Sequence, residues 1–408
     1  MKSVICRNCG LPEGKIPSYG HIKLNNNEKC HFCKLFETQK DKYGRLYNSN
    51  REDELYSLIK NVKRIGEYDV IVMYTGGKDS TYTLYKLVME YNLKVLAITW
   101  DNGFFDEDVI SNIKRVVTKL NVDHIFIHME ESVLKDIYRN RILNFGRICS
   151  CGPLSILFIS PYIEKYQPSF IFYSSSFGQL VAQNECVLDE NDDLELEARK
   201  FKMLMLKSGK VSLNRIASQS YYSVLHDILS GEFCSETIKV LKDNLRSLSS
   251  LRKRNNSFYI YPSYYMNWDK QIIISNITKL GWKLPKAVEN TVHTSCKMEQ
   301  VKSYLAYKQG IINFDILEMC AENRYEKKEK NASQELIDMG YCNVMPGQYP
   351  ELLEWLGLSE DDVNPALGNA DQKEYIINTE TYQKLGLQES KDELLQQLMY
   401  VHKKGILI

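Results

Sequence analysis

The segment Thr75-Gly76-Gly77-Lys78-Asp79-Ser80-Thr81 gathers residue types suited to binding phosphate. It follows Tyr68-Asp69-Val70-Ile71-Val72-Met73-Tyr74, whose length and β-branched content predict a buried strand ending at Tyr74. Two glycines let the backbone turn tightly, so successive N–H groups converge where the next helix aims its N-terminus. Lys78 adds a mobile cation, and Ser80 and Thr81 add hydroxyls that can cap the helix. A Gly-Gly pair alone reads as an ordinary strand-to-helix turn; the whole segment at a strand end reads as a diphosphate nest. It is not a Walker loop, because Val72 stands where that loop requires its first glycine.

Cysteines form the second chemical signal. Cys6-x-x-Cys9 and Cys30-x-x-Cys33 are two knuckles separated by twenty residues, suited to a closed tetrahedral zinc site. With no open coordination position, such a site serves stability or docking rather than catalysis. Cys149-Ser150-Cys151 and Cys296, within Val292-His293-Thr294-Ser295-Cys296-Lys297, are further thiols. If Cys149, Cys151 and Cys296 converge, they suit a persulfide carrier or an iron–sulfur cluster; otherwise they line the core or form a second zinc site. Cys186, Cys234, Cys320 and Cys342 stand alone. Eleven cysteines in a long chain read as metal ligands and reactive thiols rather than a disulfide framework.

The elements that must position these groups alternate. A helix over 50–66 precedes the 68–74 strand, and a helix through Leu84, Leu87 and Val88 follows the glycines. Strands over 94–100, 123–128 and 170–174 alternate with helices near 109–120 and 133–144. This predicts an α/β fold: a Rossmann-like parallel sheet covered on both faces, with an N-terminal zinc ribbon and a helical C-terminal region. Ligands in such sheets bind at the carboxyl ends of strands, where 75–80, 101–103 and 174–179 fall. The division expected is 1–45 as ribbon, 46–290 as the α/β domain that carries the glycine loop and 291–408 as helical. Residues 187–256 are expected as a helical insertion able to cover the site, and Pro346, Pro350 and Pro365 as breaks in the C-terminal helices.

Composition restricts the partners. The 408 residues carry 52 basic and 52 acidic side chains, which argues against nucleic-acid binding through bulk positive charge. Mean hydropathy is −0.36 and no apolar run approaches the roughly 18 residues of a membrane span. With no apolar stretch after Met1-Lys2-Ser3, a cytoplasmic location is expected. His124 and His128, at the ends of one strand, read as structural or supporting residues.

The segment Thr75–Ser80 resembles the SGGKDS signature of the PP-loop ATP pyrophosphatases, with threonine replacing the leading serine. The resemblance implies that Tyr74, Thr75, Gly76, Gly77, Lys78, Asp79, Ser80 and Thr81 hold ATP and its magnesium, with Lys78 and Asp79 catalytic. Asp101, in Asp101-Asn102-Gly103, matches by location a nucleotide-positioning site. Such enzymes adenylate a substrate oxygen, so that AMP replaces a poor leaving group and a nucleophile then attacks the activated carbon.

Cys6-Arg7-Asn8-Cys9-Gly10-Leu11-Pro12, Phe145-Gly146 and Tyr264-Tyr265-Met266-Asn267-Trp268-Asp269 are similar to the N-acetyl sugar amidotransferase branch of that superfamily, which serves surface-polysaccharide and nonulosonic acid synthesis. That resemblance implies a sugar-type substrate, ammonia from a separate glutaminase subunit, and substrate contacts from Tyr265, Trp268, Asp269 and His293. Cys149, Cys151 and Cys296 depart from the branch. They support an alternative, sulfur transfer to a small molecule or tRNA base with a sulfur-donor protein as partner. The cofactors implied are ATP, Mg2+ and Zn2+, with an iron–sulfur cluster under the alternative.

Overall fold

The computed structural model describes residues 5–16, 20–24, 28–43, 51–60, 66–188, 192–254, 256–286, 293–326, 343–368, 377–387 and 389–403. Between the two CxxC motifs, β1 (Gly14–Ile16) and β2 (Gly20–Ile22) pair antiparallel. This N-terminal piece is too short to bury a core of its own. Its Leu11, Ile16, Ile22, Phe32 and Leu35 therefore share a cluster with Val181, Phe201, Ile316 and Leu317 from later helices.

The main sheet contains β3 (Val70–Met73), β4 (Val95–Trp100), β5 (Asp123–Ile127), β6 (Phe170–Tyr173), β7 (Lys210–Ser212) and β8 (Phe258–Ile260). Their order is β5-β4-β3-β6-β8-β7; the first five are parallel and β7 is antiparallel on the edge. Every residue of β3 and β4 is buried. Side chains alternate across the pleat: Ile71, Met73, Leu96 and Ile98 enter one core, while Val70, Val72, Val95 and Ala97 enter the other. The expected parallel sheet with both faces covered is the fold observed. The chain passes from β3 to β4 on one side and later to β6 on the other, so the strand order reverses between β3 and β6, the point at whose carboxyl ends such sheets bind ligands.

The expected helix over 50–66 is Glu52–Lys60, held by buried Leu55 and Ile59; Val62 lies outside the described residues, as does Cys342. Within 187–256, Leu213–Leu229 and Ser235–Leu251 pack on Cys151–Tyr166 in the larger core, and β7 extends the sheet. Two prolines do not break helices where the sequence suggested. Pro350 sits in the first turn of Gln348–Leu356, where an N–H has no intrahelical partner, and Pro365 lies inside Glu360–Gly368. No described helix is long and apolar enough to cross a membrane.

Candidate functional site

The phosphate-type loop leaves β3 while the backbone is still paired: Tyr74 N–H donates to the Ile98 carbonyl at 2.8 Å. Gly76 then turns with φ +73°, and a Cβ there would lie 2.5 Å from Ile113, so both the conformation and the space demand glycine. Gly77 caps the helix Lys78–Tyr85 with no side-chain bond of its own. Thr75 Oγ1 and Ser80 Oγ lie 3.2 Å apart and brace the turn from both ends. Tyr74 and Thr81 sit beneath it, nearly fully buried, with their hydroxyls 3.3 Å apart.

Distant segments close around this loop. Trp282 Nε1 donates to the Gly76 carbonyl at 2.9 Å, and the Lys78 N–H donates to Thr294 Oγ1 at 3.0 Å. Lys78 Nζ donates to Asp79 Oδ2 at 2.6 Å, while Trp268 Nε1 donates to Asp79 Oδ1 at 3.1 Å. Burial disfavours the Lys78 charge, yet Asp79, Glu318 and Glu322 together hold its pKa above the ordinary lysine value.

At the end of β4, Gly103 N–H donates to Asp101 Oδ1 at 2.9 Å, and the exposed His128 imidazole stands 3.4 Å from Asp101 Oδ2. The next residue, buried Asn102, points Nδ2 at Cys151 Sγ (3.5 Å) and Cys296 Sγ (3.8 Å). Arg141 fixes the same corner by donating to the Cys149 carbonyl at 2.6 and 3.0 Å. A hydrogen bond from Cys151 holds the Cys149 thiol well below its ordinary pKa, and Lys302 and Arg141 reinforce it. Cys149 is also the exposed member. Burial pushes Cys296 up to about 12.

The four N-terminal cysteines form a separate buried group whose sulfurs all lie within 4.8 Å of one another. Cys6–Cys33 and Cys9–Cys30 are each 3.6 Å apart. A tetrahedral ion with metal–sulfur bonds of about 2.3 Å requires separations of about 3.8 Å, so the donor set fits one such ion. Arg324 Nη1 donates to Cys9 Sγ at 3.4 Å and Asn323 Nδ2 to the Cys9 carbonyl at 3.1 Å, tying this group to helix Phe314–Glu326. Hydrogen bonds from Cys30 and Cys33 lower Cys6 to about 7. The Cys149, Cys151 and Cys296 thiols do not form a comparably tight group.

His293 stands among carboxylates. Its Nε2 is 3.1 Å from Asp315 Oδ1, 3.5 Å from Glu318 Oε2 and 3.7 Å from Glu299 Oε1. Burial works against its protonation, but Glu299, Asp315 and Glu318 outweigh it and raise His293 to about 10. Burial raises Glu318 to about 7. Ser176 caps helix Phe177–Glu185 and also donates to Glu318 Oε1; Gln179, in the same capping box, reaches His293.

No family model and none of the curated proteins matches this sequence. Among solved structures, the U34-tRNA thiolase NcsA from Methanococcus maripaludis with its [4Fe-4S] cluster is similar to this chain at 14% identity. The match covers 85% of this chain and 90% of that one, with a TM-score of 0.34.

The residues singled out from sequence fall into distinct settings. Thr75 to Ser80, Trp268 and the His293–Cys296 segment come together around the loop. Tyr265 is a core residue, 4% exposed and packed edge-on against Tyr264. Asp269 caps helix Lys270–Thr278 through the N–H groups of Gln271 and Ile272, which accounts for its carboxylate. His124 bonds Thr99 at 2.9 Å in a supporting position beside Tyr74. Sequence reading did not single out Asn102, Trp282, Thr294, Asp315 or Glu318 as functional residues. Asn102 and Thr294 lay within segments already marked, whereas Asp315 and Glu318 are one turn apart in an otherwise ordinary helix.

Proposed function

We propose that this chain is an ATP-dependent adenylating enzyme of the PP-loop type that transfers sulfur. The observation carrying the sulfur reading is the joint approach of Cys151 and Cys296 to Asn102, with the Cys296 segment bound to the phosphate loop through Thr294. The substrate oxygen attacks the ATP α-phosphorus and pyrophosphate leaves. Sulfide from a donor protein then attacks the adenylated carbon, and AMP departs with the oxygen. The loop N–H groups and Lys78 bind the departing pyrophosphate, and Asp79 orients Lys78. Magnesium, when bound with ATP, supplies further neutralisation of phosphate charge. Cys149, Cys151 and Cys296 would hold a sulfur carrier or an iron–sulfur cluster, which supplies a site for activating sulfide. The Cys6, Cys9, Cys30 and Cys33 spacing supports a structural zinc ion.

Ammonia transfer to a sugar substrate makes no use of the thiols, so it stands second. Anaerobically purified protein should contain iron and acid-labile sulfide and form AMP with a sulfur-containing product. Turnover with ammonium salts, undiminished in Cys151→Ser and Cys296→Ser, would instead select nitrogen transfer.

A further inference from the structure

A second ligand set lies on the far side of the Thr294 contact. His293 precedes Thr294, the residue that accepts from the Lys78 N–H, and it faces helix Phe314–Glu326. Asp315 and Glu318, both 2% exposed, occupy the first turns of that helix on the side facing His293. Their donor atoms and His293 all lie within 4.8 Å of one another. The buried Glu318 Oε2 is aimed into this group and accepts no hydrogen bond, although Oε1 is bonded by Ser176. The His293 imidazole faces Oε2 at 3.5 Å without hydrogen-bond geometry, so this buried oxygen is still without a donor, which costs free energy.

We propose that His293, Asp315 and Glu318 form a binding site for a divalent first-row metal ion, separate from the cysteine groups. Bonds of about 2.0–2.2 Å to imidazole and carboxylate place adjacent ligand atoms about 2.9–3.6 Å apart. The observed separations from His293 Nε2, 3.1 Å to Asp315 Oδ1 and 3.5 Å to Glu318 Oε2, lie in that range. Charge agrees as well. Glu299 and Asp315 also bond Lys302, at 2.7 Å and 2.8 Å. A divalent ion that displaces the His293 proton meets three carboxylates opposed by that one ammonium. Such an ion ties the 293–296 segment to the helix, holding Thr294 on the loop and Cys296 at the thiol group. The metal site stands independently of the sulfur and ATP readings.

Mn2+ is the discriminating probe, because thiolate sites favour softer ions. Nucleotide-free, full-length protein should bind about one Mn2+ per chain by electron paramagnetic resonance, with pulsed spectra showing coupling to one imidazole nitrogen. Glu318→Gln, nearly isosteric, should weaken Mn2+ binding by at least about tenfold. His293→Gln should remove the nitrogen coupling. If either variant misfolds by circular dichroism, the nitrogen coupling in the unmodified protein decides. No Mn2+ binding, binding without nitrogen coupling, or equal affinity in folded Glu318→Gln protein would overturn the proposal and leave a proton-bridged ion-pair network.

Discussion

Trp268 Nε1 donates to Asp79 Oδ1 at 3.1 Å, joining the aromatic segment after β8 to the phosphate loop 189 residues earlier. Asp79 thereby carries two donors, indole on one oxygen and Lys78 on the other, which fixes the direction of the lysine. Trp268→Phe keeps most of the ring and loses the donor. A hydrogen bond to a charged group contributes about 1.5–3 kcal/mol to stability, so the melting temperature should fall, and with Asp79 no longer held on that side ATP-to-AMP turnover should fall by about tenfold or more. Unchanged turnover would remove this contact from the working site.

Lys78→Ala should leave the fold intact and reduce AMP formation by about 100-fold or more, the loss typical of one preorganised charge stabiliser. The measurement is substrate-stimulated nucleotide release. Formation of ADP and phosphate in place of AMP and pyrophosphate would contradict the adenylation chemistry.

Cys151→Ser and Cys296→Ser should each abolish the sulfur-containing product while ATP binding persists. Asn102→Ala, which removes the amide between the two sulfurs, should weaken product formation less than either cysteine change. Mass analysis of product alongside a nucleotide-binding titration separates the two effects.

Metal analysis should find about one zinc per chain at Cys6, Cys9, Cys30 and Cys33. Because the surrounding apolar cluster is shared with helix Phe314–Glu326, Cys30→Ser should lower the melting temperature and destabilise that helix's packing as well as the ribbon. Folded wild-type protein lacking zinc would dismiss this assignment.

Burial lowers His124 from 6.5 to about 4. Between those values the unfolded chain binds more protons than the folded one, so stability rises with pH across this window. The contribution is complete above about pH 6.5 and is lost as pH falls towards 4. Denaturant titrations across this range should show the slope, and His124→Gln should flatten it.

The local pattern of the chain determined most of the sheet. Val70–Met73 and Val95–Trp100 are buried on both faces, so they read as continuous apolar runs bounded by glycine or polar loops. The loop Thr75–Ser80 was legible for the same reason: its chemistry is contiguous, and a strand end determines where it stands. The two CxxC knuckles were legible because each pair needs only a tight turn. Tertiary structure alone decided which distant groups meet that loop. Trp268 and Asp269 are neighbours in sequence, yet one reaches Asp79 and the other caps a helix. Tyr265 enters the core beside Tyr264 and Met266, a placement its aromatic type does not announce. Cys151 and Cys296 approach Asn102 only after β4 and the 293–296 segment are docked. Glu318 finds His293 only when helix Phe314–Glu326 lies beside that segment. Periodicity records which face of an element is apolar; it does not record which polar groups from other elements will share the same few ångströms.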